Sequence, residues 1–188
     1  MDNLSKSVAE SIFATDESKT AGADVKRLYE TRSEFLRHRS VASSTIFDTV
    51  LSDLDNIFVL NVAALFTAIV IDFRDHVAKG KHNDFARFLI NRAVQKGLRE
   101  KGAIMPDFAV KMLKEVDEKL GQKFEAFLDE EQSQNLINLY NWRNAVAHCQ
   151  SIQFTYDEHM VQILATISDT TKFLYENEHE ITFRSLFT

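Results

Sequence analysis

Apolar side chains recur at helical spacing along most of this 188-residue chain, with polar residues between them. The strongest run covers positions 44–79, where successive apolar residues keep the i, i+3, i+4, i+7 pattern of one helix face. Positions 59–73 are apolar nearly all round, which predicts a central buried helix. We expect a kink in this run near Asp55 and Asn56, and a helix stop at Gly80.

The same spacing predicts helices over 23–42, 83–102, 106–121 and 129–148, and a last helix from about Thr155. In the helix after Asn83, the apolar residues are expected to face the core; they are Phe85, Phe88, Leu89, Ala93 and Leu98. Period-2 alternation occurs only in the tail Ile181-Thr182-Phe183, a candidate strand. With one proline and five glycines, the chain favours long helices. We therefore predict an all-α, up-and-down bundle of about five to seven helices.

The domain organisation follows from composition. Residues 1–20 are polar and serine-rich and form a predicted N-terminal arm, while residues 21–188 form a single helical domain. The lone Cys149 excludes an intramolecular disulfide and a metal site built on thiolates. The longest apolar stretch is interrupted by Asn61 and Thr67, so no run is expected to reach the length of a membrane span. We expect a cytoplasmic protein without a membrane partner.

The charge distribution is uneven. The net charge is −6, yet positions 73–101 carry eight lysine and arginine residues against three acids. This segment is the candidate contact surface for a polyanion such as RNA, although a solvated helix face is the common alternative. The candidate RNA-binding residues are Lys79, Lys81, Arg87, Arg92 and Lys96.

The candidate chemistry lies in positions 142–148, which read WRNAVAH near the end of a predicted helix. Arg143 falls on the apolar stripe that Val146 and Ala147 continue, where a guanidinium is costly unless an anion meets it. Asn144 and His148 are four residues apart and share a face. An isolated histidine on a helix is usually a structural or surface residue. Together, however, an arginine that holds phosphate, an amide that orients it and an imidazole that moves protons suffice for metal-free RNA cleavage. Because the motif supplies one histidine, a two-fold dimer would be needed to provide both acid and base.

The order Arg143-Asn144, three residues, then His148, late in an all-α chain, resembles the R-x(4–6)-H signature of HEPN domains. It is most similar to the stand-alone HEPN-like nucleases of bacterial defence and stress loci, including the RiboL-PSP type. The resemblance implies a metal-independent endoribonuclease with a composite site at a homodimer interface. It implies His148 as general acid or base, Arg143 as the phosphate contact and Asn144 as the positioning residue.

The chain departs from the family pattern at two positions. Cys149 stands where a small residue, commonly glycine, often follows the histidine, and Gln150 stands where some members carry a tyrosine that is modified. Control by tyrosine modification is therefore not expected. The family's early helices often carry an acid that faces the site, and Asp72 is the nearest candidate.

Three hypotheses follow for the function. The first is an endoribonuclease acting in toxin–antitoxin, defence or stress responses, with RNA, a second copy and possible antitoxin or partner proteins as its partners. The second is a non-catalytic HEPN module that binds a nucleotide or a protein through Arg143 and His148. The third is a structural helical dimerisation domain in which Arg143 pairs with a buried acid. No metal and no cofactor are expected in any of them.

Overall fold

The computed structural model describes residues 16–38, 44–101, 104–150 and 156–186, and these residues form an all-α bundle without strands. Seven helices follow one another in this part of the chain: α1 (Asp16–Arg37), α2 (Ser44–Lys81), α3 (Asp84–Lys101), α4 (Pro106–Val116), α5 (Glu118–Phe127), α6 (Glu130–Ala147) and α7 (Tyr156–Leu186). The predicted fold class is confirmed. The first residues of α1 belong to the predicted N-terminal arm, whose residues 1–15 lie outside the described part.

The predicted helix starts near Asn83, Pro106 and Asp129 are confirmed, and each has a local cause. The Asn83 side chain accepts a hydrogen bond from the Ala86 backbone N–H at 2.9 Å and so caps α3. Pro106 occupies the first turn of α4, where its missing N–H costs nothing. Asp129 caps α6 and forms a reciprocal capping box with Gln132. Local side-chain chemistry therefore determines where these helices begin.

Helix α2 is the centre of the bundle and packs against α1, α4, α6 and α7. Its apolar second half is buried in these contacts, as the sequence predicts; the most completely buried side chains are Phe58, Val59, Val62, Leu65, Ile69 and Val70. The expectation about membrane spans is wrong in one respect. By length and composition alone, Thr45–Gly80 could cross a membrane, because two isolated polar residues do not lower its overall hydropathy enough. The buried core helix of a globular protein can have the same length and composition as a membrane-spanning helix.

Helix α1 packs along the first half of α2. Arg32 is 7% exposed, and its Nε donates to Asp55 Oδ1 at 2.6 Å. One helical turn away from Arg32, the ring of Phe35 stacks on that of Phe47, with centroids 4.4 Å apart. No break separates the two halves of α2 near Asp55, since the helix runs without interruption from Ser44 to Lys81. Asp55 instead anchors α1.

The predicted helix over 106–121 is two helices. The Asp117 side chain accepts a hydrogen bond from the Leu120 backbone N–H at 3.0 Å, and this cap starts α5 four residues before the predicted end. Gly121 therefore lies inside α5, where a Cβ would be only 2.6 Å from the Lys114 backbone nitrogen. The glycine permits close packing of α4 and α5 and does not end a helix.

Two further predictions are wrong. The tail Ile181-Thr182-Phe183 belongs to α7, because the helical pattern before it simply continues. On α3, the rings of Phe85 and Phe88 are 71% and 58% exposed and Leu89 is 49% exposed, so these residues do not face the core. The Ala93 and Leu98 side chains lie outside the described residues. The spacing of the apolar residues shows which side of α3 is apolar, but not what that side packs against. The described side-chain contacts between α2 and α3 are hydrogen bonds, such as the one from Arg74 to Asn91.

Candidate functional site

Helix α6 holds the WRNAVAH motif against the bundle through its earlier turns. Leu136 and Leu139 are buried in the core. Asn135 Nδ2 donates to Thr166 Oγ1 on α7 at 3.1 Å. At the start of the motif, the Trp142 and His159 rings meet edge to face, with centroids 5.2 Å apart. These α6–α7 contacts fix the helix up to the residue before Arg143.

The structure brings Arg143 and Asn144 together at the end of α6. Arg143 Nη1 donates to Asn144 Oδ1 at 3.0 Å, and both residues are partly buried. His148 lies one turn later, at the C-cap of the helix, and is exposed. Val146 packs against the core, but Ala147 is exposed and not on the buried stripe as predicted, because no described element covers this last turn.

A tight turn follows His148 and determines the end of the helix. The Gln150 N–H donates to the Ala145 carbonyl at 2.8 Å, and the Cys149 N–H donates to the Val146 carbonyl at 3.0 Å. This pair of bonds is the Schellman motif, whose central residue adopts the left-handed conformation that glycine prefers. Cys149 occupies that position with φ 52°. A glycine at this position would adopt the same conformation without strain.

The polar groups of the motif are available to a ligand. Among the described residues, no carboxylate forms an ion pair with Arg143, whose partner is the neutral amide of Asn144. Within the same ranges, the His148 ring makes no hydrogen bond. Asp72, the candidate family acid, is 8% exposed on α2 and is engaged in a polar interaction. This helix end therefore carries an exposed imidazole and a partly buried guanidinium that has no carboxylate partner among the described residues.

The cationic segment forms a second feature, a cleft of about 290 Å³ between the end of α2 and α3. Its lining residues are Asp75, Ala78, Lys79, Asp84, Arg87, Phe88 and Asn91. Of the predicted RNA-binding residues, Lys79 and Arg87 converge at this cleft. Arg92 and Lys96 are exposed further along α3, and the Lys81 side chain lies outside the described residues. No described hydrogen bond or ion pair joins this region to the motif on α6.

The predicted RNA-binding residues did not include Arg74, Asn91 or Phe88, which lie in or beside this cleft. Arg74 is 2% exposed, and its Nε donates to Asp75 Oδ1 at 2.8 Å. Its Nη2 donates to both Asp75 and Asn91. In the sequence, Arg74 stands out as a cation directly after a long apolar run. Nothing in the sequence predicts that its guanidinium bonds to Asn91, or that the Phe88 side chain is exposed.

Comparisons of the chain with protein-family models, curated proteins and solved structures find no match. In the described ranges, no three histidine, cysteine or acidic side chains are grouped so as to hold a metal ion. The motif is therefore interpreted from its residues and their geometry.

Proposed function

We propose that the protein is a metal-independent endoribonuclease of HEPN type, with a composite active site where two copies meet. The observation that carries the proposal is the end of α6. There Arg143 is held by Asn144 at 3.0 Å, and an exposed His148 lies one turn away. The all-α bundle and the late position of this helix agree with the resemblance. Toxin–antitoxin, defence or stress responses are the proposed biological setting.

The proposed reaction is an intramolecular transfer at phosphorus. The 2′-OH of one nucleotide loses its proton to a neutral imidazole and attacks the adjacent phosphorus. The bond from phosphorus to the 5′ oxygen of the next nucleotide breaks, and that oxygen takes a proton from an imidazolium. The products are a 2′,3′-cyclic phosphate and a free 5′-OH. Arg143 contacts the phosphate oxygens as negative charge builds on them, and Asn144 positions the guanidinium.

A second copy is part of the proposal because one motif provides one imidazole. The base and the acid are then the two His148 side chains of a two-fold dimer. Arg143, Asn144 and His148 line none of the three clefts of about 810, 350 and 290 Å³. An open surface with a small, exposed Ala147 leaves room for the approach of a second helix. The site is incomplete in a single protomer.

The test compares cleavage of a synthetic RNA by wild type and by His148→Ala, with His38→Ala as the matched control. His38 is an exposed histidine directly after α1, and the same substitution there should leave the rate unchanged. His148→Ala should lower the rate at least 100-fold, the scale of acid–base catalysis, while circular dichroism and the melting temperature stay as in wild type. Equal cleavage by all three proteins would refute the catalytic role.

A mixed dimer tests the composite site. Co-expression of wild type and His148→Ala with different affinity tags yields a dimer that retains a single His148 imidazole. If the two His148 side chains share one cleft as base and acid, this dimer should cleave RNA as poorly as the His148→Ala homodimer, because one of the two proton-transfer groups is missing. A mixed dimer that keeps about half of the wild-type rate would mean that each protomer works alone. A wild-type enzyme that cleaves RNA as a monomer in analytical ultracentrifugation would contradict this part.

The structural alternative requires a buried acid opposite Arg143. Since its described partner is a neutral amide, Arg143→Ala should change the free energy of unfolding by about 1 kcal/mol, the scale of one ordinary hydrogen bond. Orphaning a buried acid would cost roughly 3–5 kcal/mol. Urea denaturation of the variant distinguishes these values, and the larger one would favour a structural role for the motif.

A further inference from the structure

Helix α3 presents one continuous stripe that is apolar at its start and cationic further along. Phe85, Phe88, Leu89, Arg92 and Lys96 follow the spacing of a single helix face. Both phenyl rings are more than half exposed, and Arg92 and Lys96 are exposed as well. The packing of α3 in the bundle, mainly on α4, leaves this face uncovered by the described residues. Exposed aromatic rings in line with cations need a common explanation.

Two guanidinium nitrogens in or behind the wall of this cleft have no hydrogen-bond partner. Nη1 of Arg74 and Nε of Arg87 are buried and make no hydrogen bond. Arg74 as a whole is 2% exposed, and the two residues to which it is bonded, Asp75 and Asn91, line the cleft. Buried donors of a guanidinium are costly to leave unpaired. Arg87 lines the cleft and its Nη2 is paired with Asp84, so an oxygen-rich anion seated there would lie beside a guanidinium that lacks one acceptor.

We propose that α3 and this cleft bind single-stranded RNA. Bases stack on the rings of Phe85 and Phe88. Phosphates contact the side chains of Lys79, Arg87, Arg92 and Lys96. Stacking platforms combined with a cationic track are the general means by which proteins hold single strands, because every base has a flat face. The choice of RNA rests on the proposed function, but the binding surface is argued from its own residues.

Charge also argues against a second copy of α3 as the occupant. A second copy of this stripe would bring two more cations and no acidic residue to pair with Arg92 and Lys96. The protein is acidic overall, with net charge −6, yet it concentrates cations in this segment. A polyanion fits this distribution. The aromatic rings favour one with unpaired bases, since the flat faces of paired bases are covered by stacking inside the duplex.

The experiment measures binding of a fluorescent 12-nucleotide single-stranded RNA and of the same RNA as a duplex, by anisotropy, in the His148→Ala background. Phe88→Ala should weaken single-strand binding by roughly 5- to 150-fold, the range for loss of one stacked base. Val161→Ala, an exposed apolar truncation on α7, is the matched control and should change nothing. The duplex should bind more weakly than the single strand.

The cations are tested through the salt dependence of the same binding. Arg92→Gln with Lys96→Gln should flatten the slope of log affinity against log salt by about 1.4, since each phosphate contact on a single strand contributes about 0.7. Lys111→Gln with Lys119→Gln removes two exposed lysines from α4 and α5 and should leave the slope unchanged. Equal slopes in the two double variants would overturn the proposed track.

The outcomes separate this proposal from the nuclease proposal. If wild type binds RNA in a Phe88-dependent way but never cleaves it, the surface is supported and the nuclease is refuted. If wild type cleaves RNA while Phe88→Ala binds as tightly as its parent, the nuclease stands and the surface is refuted. A Phe88→Ala variant with unchanged RNA affinity but an altered oligomeric state would assign the stripe to a protein interface instead.

Discussion

The left-handed conformation of Cys149 leads to a stability prediction for the turn that follows His148. With φ 52°, the Cβ of this residue lies close to neighbouring backbone, a strain that costs roughly 1–2 kcal/mol for a residue other than glycine. The side chain is exposed, so its removal uncovers no packed surface. Cys149→Gly should therefore relieve the strain without disturbing the two hydrogen bonds of the turn.

The net gain is smaller than the strain, because glycine loses more conformational entropy on folding, by roughly 0.5–1 kcal/mol. We expect Cys149→Gly to raise the free energy of unfolding by about 0.5–1 kcal/mol. For a chain of this length, such a gain raises the melting temperature by about 1–4 °C. RNA cleavage should persist, since the backbone that holds His148 is unchanged.

The assay is thermal and urea denaturation in the presence of a reductant, with Cys149→Ala as the matched control. Alanine also removes the thiol but keeps the Cβ, so its stability should equal that of wild type. A glycine variant no more stable than the alanine variant would show that the turn carries no such strain.

Three other substitutions test the packing that supports the site, each by urea denaturation against wild type. Gly121→Ala forces a Cβ against the Lys114 backbone and should cost roughly 1–3 kcal/mol; a neutral result would mean that α4 and α5 are less closely packed than described. Arg32→Ala leaves Asp55 without its 2.6 Å partner and should cost roughly 3 kcal/mol, and recovery of stability in a double variant that also replaces the acid would confirm the cause. Asp129→Ala removes the cap of α6 and should cost about 1 kcal/mol, whereas Asp129→Asn should cost much less.

Local chemistry made much of this fold predictable. Asn83, Pro106 and Asp129 each act within a few residues of their own helix, so the sequence alone indicates where these helices begin. The burial of the long apolar run of α2 was also predictable, because a helix that is apolar nearly all round must be buried in protein or in lipid. The placement of Arg143, Asn144 and His148 at the end of one helix was likewise predictable from their spacing.

Features that depend on distant partners were not predictable. The apolar face of α3 was expected inside, but no described neighbour covers Phe85 and Phe88. The ion pair between Arg32 and Asp55 joins residues 23 positions apart, and the sequence suggested a kink there instead. Asp117 resembled an ordinary surface acid until its cap on α5 was seen. Periodicity identifies a helix and its faces, but tertiary packing determines which face is covered.

The central claim is metal-independent cleavage of RNA by the end of α6. The most direct measurement incubates the purified protein with total RNA in the presence of EDTA and maps the product ends. We expect cleavage by wild type that leaves 2′,3′-cyclic phosphates and 5′-hydroxyls, and no such ends with His148→Ala. Absence of cleavage, or identical ends with both proteins, would contradict the account.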